Sequence, residues 1–243
     1  VWAVCERAGT RRSIRLPDLG HFEADLDSGG ITTVELVETD PALARRRFWK
    51  EVVPMLHQAN GALCLHASAV AAGGGAVLLV GATTAGKSSL ARAWSELGGV
   101  EQLADDVAVI YPGEAGAHLL HPLPFHASVR GEMRQLLEQP DLEVDEPGSV
   151  LPVRALVFVE PTPTGRPSLS AVGAAALPIA LSESCCFTID DPESRVRFYG
   201  ANLDLLESLP CRRLLYPQRL DRLGATLSLL EGLADRLEAV PTL

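Results

Sequence analysis

The sequence predicts an α/β fold in which a small β-rich appendage precedes a larger core, and three observations carry that expectation. Apolar runs of strand length alternate with helix-forming runs along most of the chain. A glycine-rich loop joins one such strand to one such helix. Short strands around glycine turns fill the first 40 residues. With 243 residues, 47% of them hydrophobic, the chain has material for a sizeable core. The strands and helix of residues 1–60 are expected to pack on a core spanning 61–243.

In chain order, Ser28-Gly29-Gly30 turns between the strand-like runs HFEADL and ITTVELV. Asp40-Pro41 then supplies an N-cap and a first-turn proline for a helix through ALARRRFWKEVVPMLHQ, kinked at Pro54 and ending near Asn60-Gly61. Its Arg45-Arg46-Arg47 run reads as a solvated face. The run from Ala62 to Gly81 has the length of a membrane-spanning helix, about 20 residues. Gly73-Gly74-Gly75 at its centre, with His66 and Ser68, make it two buried strands, CLHASAV and AVLLVG, about a turn. No membrane segment is expected. A glycine-rich loop follows, then a helix from Ser88 to Leu97 and a strand, LADDVAVI, interrupted by Asp105-Asp106.

The acidic stretch Gln139 to Gly148 reads as a surface loop. VRALVFVE, Val153 to Glu160, reads as a buried strand with a PTPTGRP turn after it. AAALPIALSES and ANLDLLESLP read as short helices and CRRLLY as a strand. From Arg219 to Ala239, Leu220, Leu223, Leu227, Leu230, Leu233 and Leu237 fall at helical spacing, the mark of an amphipathic face on the core.

Charge removes some function classes. Against 31 Asp and Glu stand 21 Lys and Arg, a net of −10, so a broad basic face for nucleic acid is not expected. Nearly all the positive residues are Arg; the lysines are Lys50 and Lys87 alone. Five scattered cysteines, with no C-x-x-C pair and no signal-peptide pattern, point to reduced thiols and a cytoplasmic setting. The adjacent Cys185 and Cys186 read as two small buried side chains.

The strongest chemical signal is GATTAGKSSL, which satisfies G-x-x-x-x-G-K-[ST] with Gly81, Gly86, Lys87 and Ser88, after a strand and before a helix. Glycine at both ends lets backbone N–H groups turn inward at phosphate oxygens, and the new helix adds its positive end. Thr83, Thr84, Ala85 and Ser89 complete the cradle. Lys87 is placed to hold the β- and γ-phosphates and Ser88 to ligate Mg²⁺. In a chain that otherwise uses arginine, a lysine at the motif position stands out.

Asp105 and Asp106 follow Lys87 at an interval that suits a helix and a return strand, bringing a carboxylate to the metal and the γ-phosphate. One can hold Mg²⁺ while the other accepts a proton from an attacking hydroxyl; the sequence leaves open which does which. Asp105 is the candidate metal ligand and Asp106 the candidate base. A hairpin about Gly73 to Gly75 sets His66 opposite Val80 or Gly81, beside the loop. His121 and His126 flank a proline-broken loop, and Arg130 and Arg154 are candidates for neutralising a transferred phosphoryl group. Surface exposure is the plainer reading of all four.

LHASAV, a glycine turn, GATTAGKSSL and LADDVAVI, in this order and at these intervals, resemble the HPr kinase/phosphorylase superfamily. The likeness is to its HPr-kinase-related branch, with kinases of lasso-peptide and other peptide-modification clusters. The resemblance implies a P-loop kinase core of the HPr kinase/phosphoenolpyruvate carboxykinase type, with Mg-ATP as donor and serine-hydroxyl phosphorylation of a peptide or protein acceptor. It assigns roles to Lys87, Ser88, His66, Asp105 and Asp106. Two other readings stay open: a kinase of a small hydroxylated metabolite such as free serine, and a nucleotide-binding regulatory module with little catalysis. A GTPase is disfavoured because neither lysine lies in an N/T-K-x-D motif. LGGVEQ, soon after Lys87, is too close to act as a transporter signature. A homo-oligomer is left open. If the acidic stretch near Asp141 to Glu146 borders the site, a basic or neutral acceptor is expected.

Overall fold

The computed structural model describes residues 4–172 and 192–239. AAALPIALSES and the Cys185-Cys186 pair lie outside the described residues. The chain opens with β1 (Val4–Ala8), β2 (Arg11–Leu16), β3 (Gly20–Asp25) and β4 (Gly30–Leu36), an antiparallel sheet in that order. Alternation along β2 and β3 puts Ile14, Leu16, Phe22 and Ala24 on one face. That face packs with Ala44, Val52 and Leu56 of the following helix into a core of its own.

The helix begins as its caps dictate. The Asp40 carboxylate accepts from the backbone N–H groups of Ala42 and Leu43, and Pro41 opens α1 (Pro41–Arg47). The expected kink at Pro54 takes the form of a π turn, Phe48–Val52, before α2 (Val53–Ala59). Pro54 has no N–H for the Lys50 carbonyl and its ring crowds that oxygen. The ladder widens instead, and the Val53 N–H reaches back five residues to the Phe48 carbonyl.

The main sheet takes in β5 (Leu63–Leu65), β6 (Ala67–Ala72), β7 (Gly75–Val80), β8 (Gln102–Ala104), β9 (Ala108–Pro112) and β10 (His118–His121). Between β7 and β8 runs α3 (Lys87–Gly98). A two-stranded ribbon, β11 (Phe125–Ser128) with β12 (Asp141–Val144), brackets the short α4 (Glu132–Leu136). The sheet resumes with β13 (Leu151–Thr162), β14 (Ser168–Ala171) and, after α5 (Pro192–Ser208), β15 (Cys211–Pro217). The described chain ends in α6 (Leu223–Glu238).

At its centre β13 runs parallel to both β7 and β15. Strands buried on both faces read as continuous apolar runs, and here the two faces separate cleanly. Val77, Leu79 and Val157 meet Leu90 and Trp94 of α3 and Leu227 and Leu230 of α6. Leu78, Val80, Leu156 and Phe158 meet Leu205 and Leu206 of α5.

Four expectations need correction. The acidic stretch is not simply a loop, because Asp141–Val144 is β12, with Leu142 and Val144 half-buried between exposed acids. The arginine run is not a bare solvated face. Arg45 pairs with Asp145 at 2.8 Å and Arg46 with Glu143 at 3.2 Å, while Arg47 bonds Glu51 and Asp18. ANLDLLESLP supplies the end of a 17-residue helix rather than a short one. Leu220 lies in a 3₁₀ turn ahead of α6, and the other five leucines of the stripe are buried.

Candidate functional site

CLHASAV and LADDVAVI pair antiparallel, but not continuously. Leu63–Leu65 pairs with Ala108–Ile110, and Ala69 pairs with Ala104 in the same register. Between these ladders residues 66–68 lie level with 105–107. CLHASAV is therefore two strands, broken at His66, and not the single strand expected. The break opposes the Asp pair, where two carboxylates cannot be tucked into a dry ladder without compensation.

Each member of the break finds a partner. The buried Ser68 hydroxyl donates to Asp105 Oδ1 at 2.6 Å, and Asp105 also hydrogen-bonds Ser88. Burial raises the Asp105 carboxyl to about 6, against the opposing hydrogen bonds from Ser68 and Ser88. Asp106 is more exposed and adopts a left-handed backbone, φ +64°. Its carbonyl accepts from His66 Nδ1 at 2.9 Å. A carbonyl only accepts, so the proton sits on Nδ1 and leaves Nε2 as an acceptor. Partial burial, then the nearby Lys87 ammonium, lower the His66 pKa, which favours the neutral ring.

In the β6/β7 hairpin Ala67 faces Val80, which sets His66 level with Gly81, as the hairpin arithmetic expects. The Gly81–Gly86 loop then joins β7 to α3. Gly81, at φ +150°, has no room for a side chain, because a Cβ would meet the Val159 carbonyl at 2.6 Å. Gly86, at φ +95°, caps α3, and a Cβ there would meet the Tyr216 hydroxyl at 1.9 Å. Thr84 is also left-handed, φ +68°. Lys87, buried at the first position of the helix, folds back on the loop and donates to the carbonyls of Gly81 at 2.9 Å and Ala82 at 3.0 Å.

The loop and the Asp pair share one cleft of about 830 Å³, into which His66, Thr83, Thr84, Gly86, Lys87, Ser88, Ser89, Asp105 and Asp106 all open. Gly81 and Ala85 of the same loop are not part of that lining, and Ala85 is buried. Ser88 and Asp105 are adjacent hard oxygen donors. That pair suits Mg²⁺, which takes one or two protein ligands and otherwise keeps phosphate oxygens and water.

Several residues in or around the cleft were not singled out by the sequence. Tyr216 donates to the Ala85 carbonyl at 2.8 Å and Gln218 to the Thr84 carbonyl at 3.0 Å, so the end of β15 grips the loop. Lys50 reaches Asp106 Oδ2 at 2.5 Å. Ser68 had one available signal, being two residues from His66 on the same run. His126 and Arg130, read as exposed, do line the cleft. Arg154 does not; it donates to the Leu237 carbonyl near the start of β13, at the far end of the parallel strands from the loop. His121 meets Tyr111 edge to face, with ring centroids 4.8 Å apart, and does not line the cleft. Gly98 and Gly99 of the LGGVEQ run end α3, Gly99 as a left-handed C-cap.

No family model matches the chain, and no curated protein does. Among solved structures, the chain is similar to the HPr(Ser) kinase/phosphatase from Coxiella burnetii, with 16% identity, a TM-score of 0.38, and coverage of 72% of this chain and 93% of that one. What the fold and cleft define in their own right is a mixed α/β protein with a strand–loop–helix unit facing an aspartate pair. No helix among the described residues is long and apolar enough to cross a membrane.

Proposed function

We propose that the protein is an ATP- and Mg²⁺-dependent phosphotransferase whose acceptor is a serine hydroxyl of a peptide or protein. One observation carries the reading: the Gly81–Ser89 loop, Lys87, Ser88 and both aspartates converge on a single cleft of nucleotide-accommodating size, about 830 Å³. Backbone N–H groups from Thr83 to Ser89, at the positive end of α3, receive the phosphates. Lys87 exchanges the carbonyls of Gly81 and Ala82 for phosphate oxygens. Ser88 and Asp105 hold Mg²⁺, which supplies neutralisation of phosphate charge.

Asp106, the more exposed carboxylate, takes the proton of the serine hydroxyl as Oγ bonds to the γ-phosphorus. The bond from that phosphorus to the bridging oxygen breaks, ADP leaves with the electron pair, and the proton passes to water. His66 keeps the Asp106 backbone in place through Nδ1.

The test is purified protein with Mg-ATP and two probes, seryl peptides of varied flanks and free serine, read by mass spectrometry for added phosphate. Peptide phosphorylation is expected, with ATP binding lost in Lys87→Ala. In Asp106→Asn binding is kept while kcat falls about 10²-fold or more, the scale of general-base catalysis. Phosphate on free serine alone would replace the peptide reading with a small-metabolite kinase. ATP binding without transfer to any acceptor, insensitive to Asp106→Asn, would make the protein a nucleotide-binding module.

A further inference from the structure

We infer that Lys50 is a positioning residue for the reaction, holding the Asp106 carboxylate in the orientation from which it takes the hydroxyl proton. The inference rests on the phosphotransferase reading and adds to it a residue from outside the loop and the aspartate pair.

Three independent features converge on Lys50. Among 21 basic residues only Lys50 and Lys87 are lysine, and one of the two, Lys50, bonds the aspartate pair. Lys87, at the start of α3, opens into the cleft that both aspartates line, while Lys50 comes from the N-terminal helix and bonds Asp106 Oδ2. Lys50 lies within the π turn that precedes Pro54, on an element far in sequence from the aspartate pair. Asp106 is thus fixed at both ends, its carbonyl by His66 and its carboxylate by Lys50. One carboxylate oxygen is engaged and the other is left for the acceptor hydroxyl.

Stability does not account for the pair. The side chains of Lys50 and Asp106 are 54% and 33% exposed, and ion pairs so exposed contribute about 1 kcal/mol or less. Arginine, the chain's ordinary cation, carries a broad planar fork; an ammonium is a compact point charge that fits against one carboxylate oxygen.

The experiment compares wild type, Lys50→Met and Lys50→Ala with Mg-ATP and the same seryl peptides, measuring kcat and KM, the affinity for a fluorescent ADP analogue, and melting temperature. In Lys50→Met, kcat is expected to fall about 10- to 100-fold, part of a general base's usual contribution. KM for ATP and analogue affinity should stay within about twofold, the signature of an interaction made in the transition state. Added ethylammonium should restore kcat of Lys50→Ala at least severalfold, which a merely structural lysine would not permit. Unchanged kcat in Lys50→Met, a loss equal to the loss of analogue affinity, or a defect that ethylammonium leaves untouched would overturn the inference while the phosphotransferase reading stands. Absence of transfer by wild type to every acceptor would overturn both, and is read separately in the wild-type arm.

Discussion

Asp105 and Asp106 are neighbours in sequence with opposite surroundings. Asp105 is 8% exposed, and burial raises its carboxyl to about 6; Asp106 opens to the cleft beside Lys50. A carboxyl whose folded pKa lies above its unfolded value binds its proton more tightly in the folded protein, so folding is favoured at low pH. That advantage is complete below the ordinary aspartate pKa of about 4 and is lost as pH rises through about 6, amounting to about 3 kcal/mol at most. Nucleotide-free wild type should therefore lose stability relative to Asp105→Asn between pH 4 and pH 7. Asp105→Asn, which keeps a partner for Ser68, should melt higher at pH 7.5 and transfer no phosphate. Parallel pH-dependent melting curves for the two proteins would contradict the assignment. Little of this could be read from the sequence: the Asp pair is conspicuous there, but the difference in burial arises from Ser68 and from the ladder break, both set by tertiary pairing.

At the scale of elements, the loop-to-helix unit was legible because glycine positions and apolar periodicity are local signals. The clamp on it was not, since β15 meets the loop only after parallel pairing with β13 places Tyr216 beside Ala85, 131 residues away. Likewise, DLEV has the alternation of a strand, but its acidic setting masked it until Arg134 and Arg46 paired with Asp141 and Glu143. A proline inside a helical run predicts the kink at Pro54 but not its form as a π turn. Because Tyr216 holds a loop carbonyl from a buried position, Tyr216→Phe should cost about 1 kcal/mol of stability, the net worth of one hydrogen bond. It should weaken nucleotide binding severalfold with little change in kcat, as expected for a group that shapes the phosphate cradle. Calorimetric titration with ADP and a thermal melt measure the two effects. A kcat defect at unchanged affinity would instead place Tyr216 in the chemical step.

For the whole molecule, a net charge of −10 opposes the approach of a triphosphate, and the cleft compensates locally. Lys87, Arg130 and Arg219 line it, Lys50 pairs with Asp106 of its lining, and α3 directs its N-terminus into it. Asp105 and Asp106 work against these cations, so a nucleotide bound as proposed would lie next to two carboxylates unless a divalent ion lay between. Removing Mg²⁺ with a chelator should therefore weaken ATP binding more than ADP binding, because the proposed reaction requires the γ-phosphate to be the group nearest the pair. The expected loss for ATP is about tenfold or more, equivalent to about 1.4 kcal/mol. In Asp105→Asn the chelator should matter less: one negative charge and one metal ligand are gone, so ATP without metal binds better and Mg-ATP worse. Raising salt from low to physiological strength should weaken both nucleotides, because the balance depends on charges partly open to solvent. Equal chelator sensitivity for ATP and ADP, unchanged by Asp105→Asn, would separate the aspartate pair from the phosphate end of the cleft and remove the electrostatic basis for metal-assisted transfer.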